Sequence, residues 1–327
     1  MKNKKKTYDY ARFGYFFSIP FMITWLVFQF YPIVYTFLIA FTDLKGAGNT
    51  ELHFLWTKPF ANFVSILKNG TFRLSFTNTV MIWTLNFIPQ ILLALLITAW
   101  FTDRRTIIKG QGVYKVLFYL PNIITQATIA LLFATLFQYP RGVVNDLFLM
   151  LGINPDVQHT TEFLRYKGVA RGIIVFIQTW MWYGYTSIIL ISGVLGISPE
   201  LFEAAEVDGA NGVQTFFKIT IPSIKSILLF TLVTSLIGGL NMFDIPKVFL
   251  NGQPDNSTST TSLFIYDLAF GSTAQYAKAS AASIIMFIVI VVLSAILFYM
   301  LRDKDEVELR KQIRAQEKEF KRKNKGL

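Results

Sequence analysis

Six stretches of this chain are long and apolar enough to cross a lipid bilayer, and that leaves it few folds to adopt. A helix of roughly 20 predominantly apolar residues matches the hydrocarbon thickness of a membrane. Such runs fall at Phe16–Phe41, Phe76–Phe101, Val116–Phe137, Val169–Ile191, Ile227–Phe249 and Ala279–Leu301. Inside lipid no water meets an open peptide group, so only helices and closed barrels span it, and runs of this length select helices. The expected fold is therefore an all-α integral membrane protein with six transmembrane helices. Gln178, Thr179, Gly184 and Ser187 make the fourth run the most interrupted. Pro20, Pro32, Pro89, Pro121 and Pro246 lie in or beside the runs. Each would cost about 3 kcal/mol in a water-soluble helix, but packed neighbours can satisfy the freed carbonyls in a bundle.

Charge then orients the runs. Of 327 residues, 53% are hydrophobic and only 16% charged, where a soluble domain carries about a quarter. The 31 basic residues exceed the 20 acidic ones, giving a net charge of +11. This excess could suggest a nucleic-acid partner, but its placement argues against one. Lys2, Lys4, Lys5, Lys6 and Arg12 precede the first run, and Arg104, Arg105, Lys109 and Lys115 fill the link between the second and third. Lys218 and Lys225 lie between the fourth and fifth, and the tail from Arg302 onward is dense in Lys and Arg. With six spans all these segments share one side, and the positive-inside rule places both termini in the cytoplasm. The Lys-rich start followed by a long apolar run reads as a retained first span. In the tail, Glu306 and Arg310 stand at helical i,i+4 spacing, as on a solvated helix. With no Cys and only His53 and His159, both in external loops, thiolate nucleophiles and histidine-rich metal sites are excluded. No metal site and no catalytic constellation is expected.

The segment from Gly196 to Lys225 is the most informative loop. Ser198 can cap a short helix, Pro199 suits its first position, and Glu200 and Glu203 favour the positive end of its dipole. Gly209 can take the positive φ that ends it. A second piece is expected from about Val213 to Thr220, stopped by Pro222. Small Ala204 and Ala205 leave a shallow surface for another protein. Glu203-Ala204-Ala205, then Asp208-Gly209-Ala210, then Ile219 and Pro222 resemble the EAA loop of ATP-binding-cassette importer permeases. Pro20, Phe28 and Tyr31-Pro32 resemble the first span of the sugar-permease branch, like the larger partner of the maltose-type pair. Asn78-Thr79, Leu120-Pro121, Trp180 with Gly184, and Phe243-Asp244 continue the resemblance. Asn251-Gly252-Gln253-Pro254 and Gln275-Tyr276-Ala277 depart from the branch pattern.

The resemblance implies a type I importer permease fold, with a leading segment at 1–71, a permease domain at 72–298 holding a coupling loop at 196–225, and a basic tail at 299–327. It implies a bacterial inner-membrane subunit that shares a pathway with a second, homologous permease. Two cytosolic ATPase subunits would drive it, and an external binding protein would deliver a sugar. The chain lacks a Gly-x-x-x-x-Gly-Lys-Ser/Thr segment, so ATP and Mg belong to the partner ATPase and no cofactor is expected here. Glu203 is expected to pair with a basic residue in an ATPase cleft. Polar and aromatic groups at membrane depth, where sugars are usually held, are Asn86, Gln90, Gln126, Gln178, Trp180, Tyr183, Asn241 and Asp244. Two alternatives stand beside this reading: an ion-coupled secondary transporter, which has little to use beyond Asp244, and an ATP-driven permease for a non-sugar solute.

Overall fold

In a computed structural model of the protein, residues 11–46, 51–106, 108–272, 274–301, 312–313 and 315–317 are described. The basic residues at 2–6 and the Glu306–Arg310 pair lie outside them. Among the described residues the chain is helical, with one isolated bridge between Thr42 and Phe54. The helices are α1 (Ala11–Trp25), α2 (Tyr31–Ile39), α3 (Ala61–Lys68), α4 (Gly70–Thr102), α5 (Gln111–Ile123), α6 (Gln126–Leu136), α7 (Val143–Met150) and α8 (Lys167–Leu195). They continue with α9 (Pro199–Val207), α10 (Gly212–Thr215), α11 (Ile221–Ser223), α12 (Lys225–Leu240), α13 (Asp244–Leu250), α14 (Thr261–Phe270) and α15 (Tyr276–Leu301).

Among the described residues, five spans are long and apolar enough to cross a membrane: Phe13–Ile39, Gly70–Thr102, Lys167–Leu195, Lys225–Leu250 and Tyr276–Met300. The third apolar run differs from the expected single helix. It breaks into α5 and α6, which meet at 86°, so the count reaches six only if this bent pair is one span. Ile124 and Thr125 are extended at the break, and the Thr125 hydroxyl caps α6 by accepting the Thr128 N–H at 3.3 Å. Side-chain capping replaces the lost helical bond, which is the condition for breaking a helix at membrane depth. The fifth span is interrupted at 241–243, where the Thr260 hydroxyl donates to the Met242 carbonyl at 2.8 Å. Pro246 falls in the first turn of α13, where its missing N–H has no helical acceptor to lose.

The chain divides into two compact units. The first joins Met1–Asn69 to Ile265–Met286. In it the Asn62 amide donates to the Ala40 and Thr42 carbonyls at 2.9 and 2.8 Å, and Ala40 packs with Ala281 and Ile284. Almost all of the stretch from α1 to α2 is uncovered, with Phe16, Phe17 and Phe21 of α1 and Phe28 of the turn between them each at least 70% exposed. Pro32 enters α2 behind a π-turn at Leu26–Phe30, where the Tyr31 N–H reaches back to the Leu26 carbonyl. The wider turn moves the preceding carbonyls off the proline ring that would otherwise strike them.

The second unit holds Gly70–Phe264 and Phe287–Leu327. Here α4 and α8 are the central pair, and α4 buries Asn78, Ile82, Asn86, Gln90, Ala94, Thr98 and Phe101 along one helical stripe. Ile82, Ile129, Ile174, Ile177, Met181 and Ile245 form the main apolar cluster, so α6 and α13 pack on each other and on α8. Gly184 sets the approach of α5 to α8, since a Cβ there would overlap the Phe118 carbonyl.

A buried polar network closes one end of this unit. Asn78 donates to the Asn256 and Ser259 carbonyls at 2.8 and 3.0 Å, and its oxygen accepts from Arg171 at 2.7 Å. Arg171 also donates to the Ser257 carbonyl at 2.7 Å, and Ser75 and Thr79 bond Ser259 and Thr261. The segment after α13 is thus tied to α4 and α8 by side chains that fill its buried backbone positions. Replacing Arg171 by Leu leaves the Asn78 oxygen and the Ser257 carbonyl without this donor. The expected cost is about 1–3 kcal/mol, read as a lower melting temperature of the purified protein. Lys167→Leu removes only an exposed ion pair to Asp255 and should cost less than about 1 kcal/mol.

Candidate functional site

Two sites share the α4–α8 pair. At one end the link after α4 meets the segment 196–225. Helix α9 starts with Pro199 at its first position and ends in a Schellman cap: Gly209, at φ 73°, donates to the Glu206 carbonyl, and Ala210 donates to the Ala205 carbonyl. Ser198 occupies the N-cap position but makes no side-chain cap bond. Asn211 and Gln214 then form a reciprocal capping box that starts α10, a feature the sequence reading passed over. Pro222 does not stop the second piece. A π-turn at Phe216–Thr220 precedes it, the Ile221 N–H bonding the Phe216 carbonyl, and the helix passes through to Ser223. Two short helices thus make an elbow joined to α12.

The elbow is fastened to the link by two arginines. Arg104 lies 3.4 Å from the Glu203 carboxylate and 5.4 Å from the Phe202 ring centroid, and Arg105 donates to the Ala210 carbonyl at 2.6 Å. Glu203 therefore has a basic partner in its own chain, where the sequence reading assigned it one in an ATPase. Its side chain is 65% exposed and that of Arg104 48%, so the pair contributes about 0–1 kcal/mol and stays open to exchange. The two alanines separate: Ala204 is exposed, whereas Ala205 is buried under the helix and offers no outer surface. The outward residues are Leu201, Ala204, Val207 and Asp208, with Val207 88% exposed. Behind the elbow lies a cavity of about 570 Å³, walled by Leu92, Leu95, Leu96 and Trp100 of α4 and by Phe202, Phe216 and Phe217.

The second site lies deeper between the same helices, where the two interrupted spans meet. A cavity of about 460 Å³ is lined by Asn86, Gln90, Gln126, Gln178, Asn241 and Asp244, six of the eight candidate positions. Gln126 follows the break between α5 and α6, and Asn241 to Phe243 form the break between α12 and α13, with Asp244 opening α13. Trp180 and Tyr183 lie elsewhere: Trp180 packs on Phe133 at 6.1 Å and Tyr183 on Phe118 at 6.0 Å. Helical period accounts for this, since Gln178, Trp182, Tyr185 and Thr186 share one face of α8 while residues two and five places on from Gln178 point away. Trp182 and Tyr185 are the aromatic residues of α8 at the cavity, and the spacing from Gln178 was the signal that could have found them.

Hydrogen bonds hold this lining in place. Gln90 donates to the Thr186 hydroxyl at 2.9 Å, Trp182 donates to Gln178 at 3.0 Å, and Asn241 donates to the Ile237 carbonyl at 2.8 Å. Also on α4, the Trp83 indole is stacked on Phe87 and seated on Gly239, and its buried N–H has no acceptor among the described residues. A Cβ at Gly239 would overlap the indole, whereas none would meet anything within 4 Å at Gly238. Gly239→Ala should therefore cost about 1–3 kcal/mol by overpacking and displace Trp83. Thermal unfolding and indole fluorescence check this, with Gly238→Ala expected to change both far less.

Residues 59–304 match the family described as binding-protein-dependent transport system inner membrane component. The lactose transport system permease protein of Rhizobium radiobacter is 29% identical, covering 92% of this chain and 97% of its own. The arabinooligosaccharides transport system permease protein of Bacillus subtilis is 28% identical, covering 86% of each chain. Among solved structures, a chain of a bacterial alginate transporter of the ATP-binding-cassette class, in complex with an alginate pentasaccharide-bound periplasmic protein, superposes with a TM-score of 0.71. It is 26% identical, with 90% of this chain and 96% of that one covered.

Proposed function

We propose a function that proceeds from one fact: the chain belongs to the family of binding-protein-dependent transport system inner membrane components. It is a multi-pass membrane permease subunit. We infer that it carries an oligosaccharide inward, in company with a second permease, two cytosolic ATPase subunits and an external solute-binding protein. The observation that carries this reading is that α4 and α8 line the polar cavity along one stretch and bear the elbow at one end. A push on the elbow thereby acts on the helices that shape the solute's path.

Arg104 and Arg105 of the link after α4 lie against the elbow, and the positive-inside rule puts both link and elbow in the cytoplasm of a bacterial inner membrane. There the exposed stripe of Leu201, Ala204, Val207 and Asp208 is available to a partner ATPase. ATP and Mg bind to that partner, and this chain supplies the surface moved by its closure. Relatives whose names specify lactose and arabinooligosaccharides favour a sugar as the solute. The cavity suits one, because amide side chains and aromatic faces are what hydroxyl-rich solutes need. Closure of the ATPase pair would rock the spans as rigid bodies and expose the cavity to alternate sides.

Gly209→Pro forbids the positive φ that turns the elbow, and Glu203→Lys places like charge beside Arg104. Either change should leave the subunit inserted and assembled, while ATP hydrolysis by the complex no longer drives uptake. Parallel assays of hydrolysis and solute accumulation in proteoliposomes check this, and normal coupling in both variants overturns the elbow's assigned role.

A further inference from the structure

The charge of the cavity narrows the solute. We propose that the path through this chain selects uncharged oligosaccharides and excludes carboxylated ones, with Asp244 as the discriminating group; this rests on the sugar reading above.

Seventeen residues line the cavity, and Asp244 is the one charged side chain among them. The cations of the same helices, Arg73, Lys167, Arg171, Lys225 and Lys247, are all outside the lining. Arg171 is committed to Asn78 and Ser257, and Lys167 to Asp255. Asp244 itself is exposed, and among the described residues it forms no ion pair with a neighbouring cation.

The rest of the lining is neutral and offers both donors and acceptors. Gln90 uses its amide nitrogen on Thr186, and Gln178 uses its oxygen on Trp182. The opposite end of each amide has no protein partner among the described residues, so one acceptor and one donor face the cavity. Asn241, Thr234 and Ser235 add further neutral groups, and Trp182 and Tyr185 supply ring faces. This lining can bond hydroxyls in either direction. It holds no guanidinium or ammonium to receive a uronate, which planar arginine forks commonly bind. A solute carboxylate brought within about 6 Å of Asp244, at an effective dielectric constant of about 20, is disfavoured about a hundredfold. A chain superposing at 0.71 comes from a transporter of alginate, an acidic polysaccharide, so the shared fold does not by itself decide the solute's charge.

The test uses the purified membrane complex of both permeases and the ATPase subunits, without the binding protein, so that the latter's selectivity does not enter. Two pools of two to five sugar units are equilibrated with it: neutral arabino-, gluco- and galacto-oligosaccharides, and oligomers of mannuronate and galacturonate. Retained sugars are identified by mass spectrometry. The wild type should retain neutral sugars at least about tenfold over acidic ones of the same length. Asp244→Asn should lower that ratio about tenfold, and Asp244→Lys should invert it, a reversal that loss of structure does not produce. Raising the salt concentration should also shrink the wild-type ratio, which keeps the test available if a variant fails to assemble. Equal or preferential retention of uronates by the wild type overturns the proposal, as does a ratio unmoved by both substitutions. Retention of neither pool removes the sugar reading itself, and this inference with it.

Discussion

In a bilayer the backbone has to satisfy its own polar groups, and this structure is arranged around the places where helices stop doing so. Two apolar runs are broken at membrane depth, at Ile124–Thr125 and at 241–243. At the first the Thr125 hydroxyl takes up an open N–H, and at the second the Thr260 hydroxyl bonds the Met242 carbonyl. Irregular backbone inside a membrane is tolerated where it is buried in protein or lines a cavity. Both conditions hold here, because α6 and α13 pack together on one side of the breaks and the polar cavity opens on the other. The breaks are what bring Gln126 and Asp244 into one lining.

Helix α4 joins this cavity to both ends of its unit. One end is fixed by Asn78, held between Arg171 and the carbonyls of 256 and 259. Asn86 and Gln90 face the cavity, and beyond Leu92 the helix walls the elbow. The arginine contacts there are exposed: Arg104 pairs with Glu203 and reaches the Pro199 carbonyl, and Arg105 donates to the Ala210 carbonyl. The contrast has a physical consequence. A buried hydrogen-bond network resists rearrangement, whereas an exposed pair worth about 0–1 kcal/mol exchanges partners readily. Helix α9, held by these arginines, is the part of the elbow that can exchange its contacts with a partner.

How much of this was legible in the sequence depends on whether a feature is local. The spans could be read because hydropathy over some 20 residues sums many weak signals. The bend of 86° is marked only by Pro121, Asn122, Thr125 and Gln126 interrupting the run, and residues of this kind do not set an angle between helices. The Gly209 turn could be read from glycine's access to positive φ, and it is there at 73°. The capping box is equally local, carried by Asn211 and by Gln214 three residues on. Glu203 was assigned a partner outside the chain because Arg104 is 99 residues away, and no spacing rule connects them. Cavity aromatics were misassigned within one helix: Trp180 and Tyr183 were named for their type, while Trp182 and Tyr185 lie on the Gln178 face.

Pro222 shows how a local expectation fails for a reason that matters to function. A proline in mid-helix removes one donor and strikes the carbonyl four residues back, so a stop was the reasonable expectation. The chain instead widens the preceding turn to i→i+5 bonding over Phe216–Thr220, and the helix continues to Ser223. The same device precedes Pro32 at Leu26–Phe30. Had Pro222 ended the helix, a flexible joint would separate the elbow from α12, and displacement at α9 would dissipate there. With the π-turn the hydrogen-bonded backbone runs from Asn211 to Ser223, and Ile224 follows by bonding its N–H to Thr220. Ile224 is 1% exposed and packs with Ala94, Leu190 and Val194, so the elbow's exit is anchored on both α4 and α8. Motion of the elbow must therefore move Ile224 against these helices or move the helices with it, and close packing in that cluster favours the second.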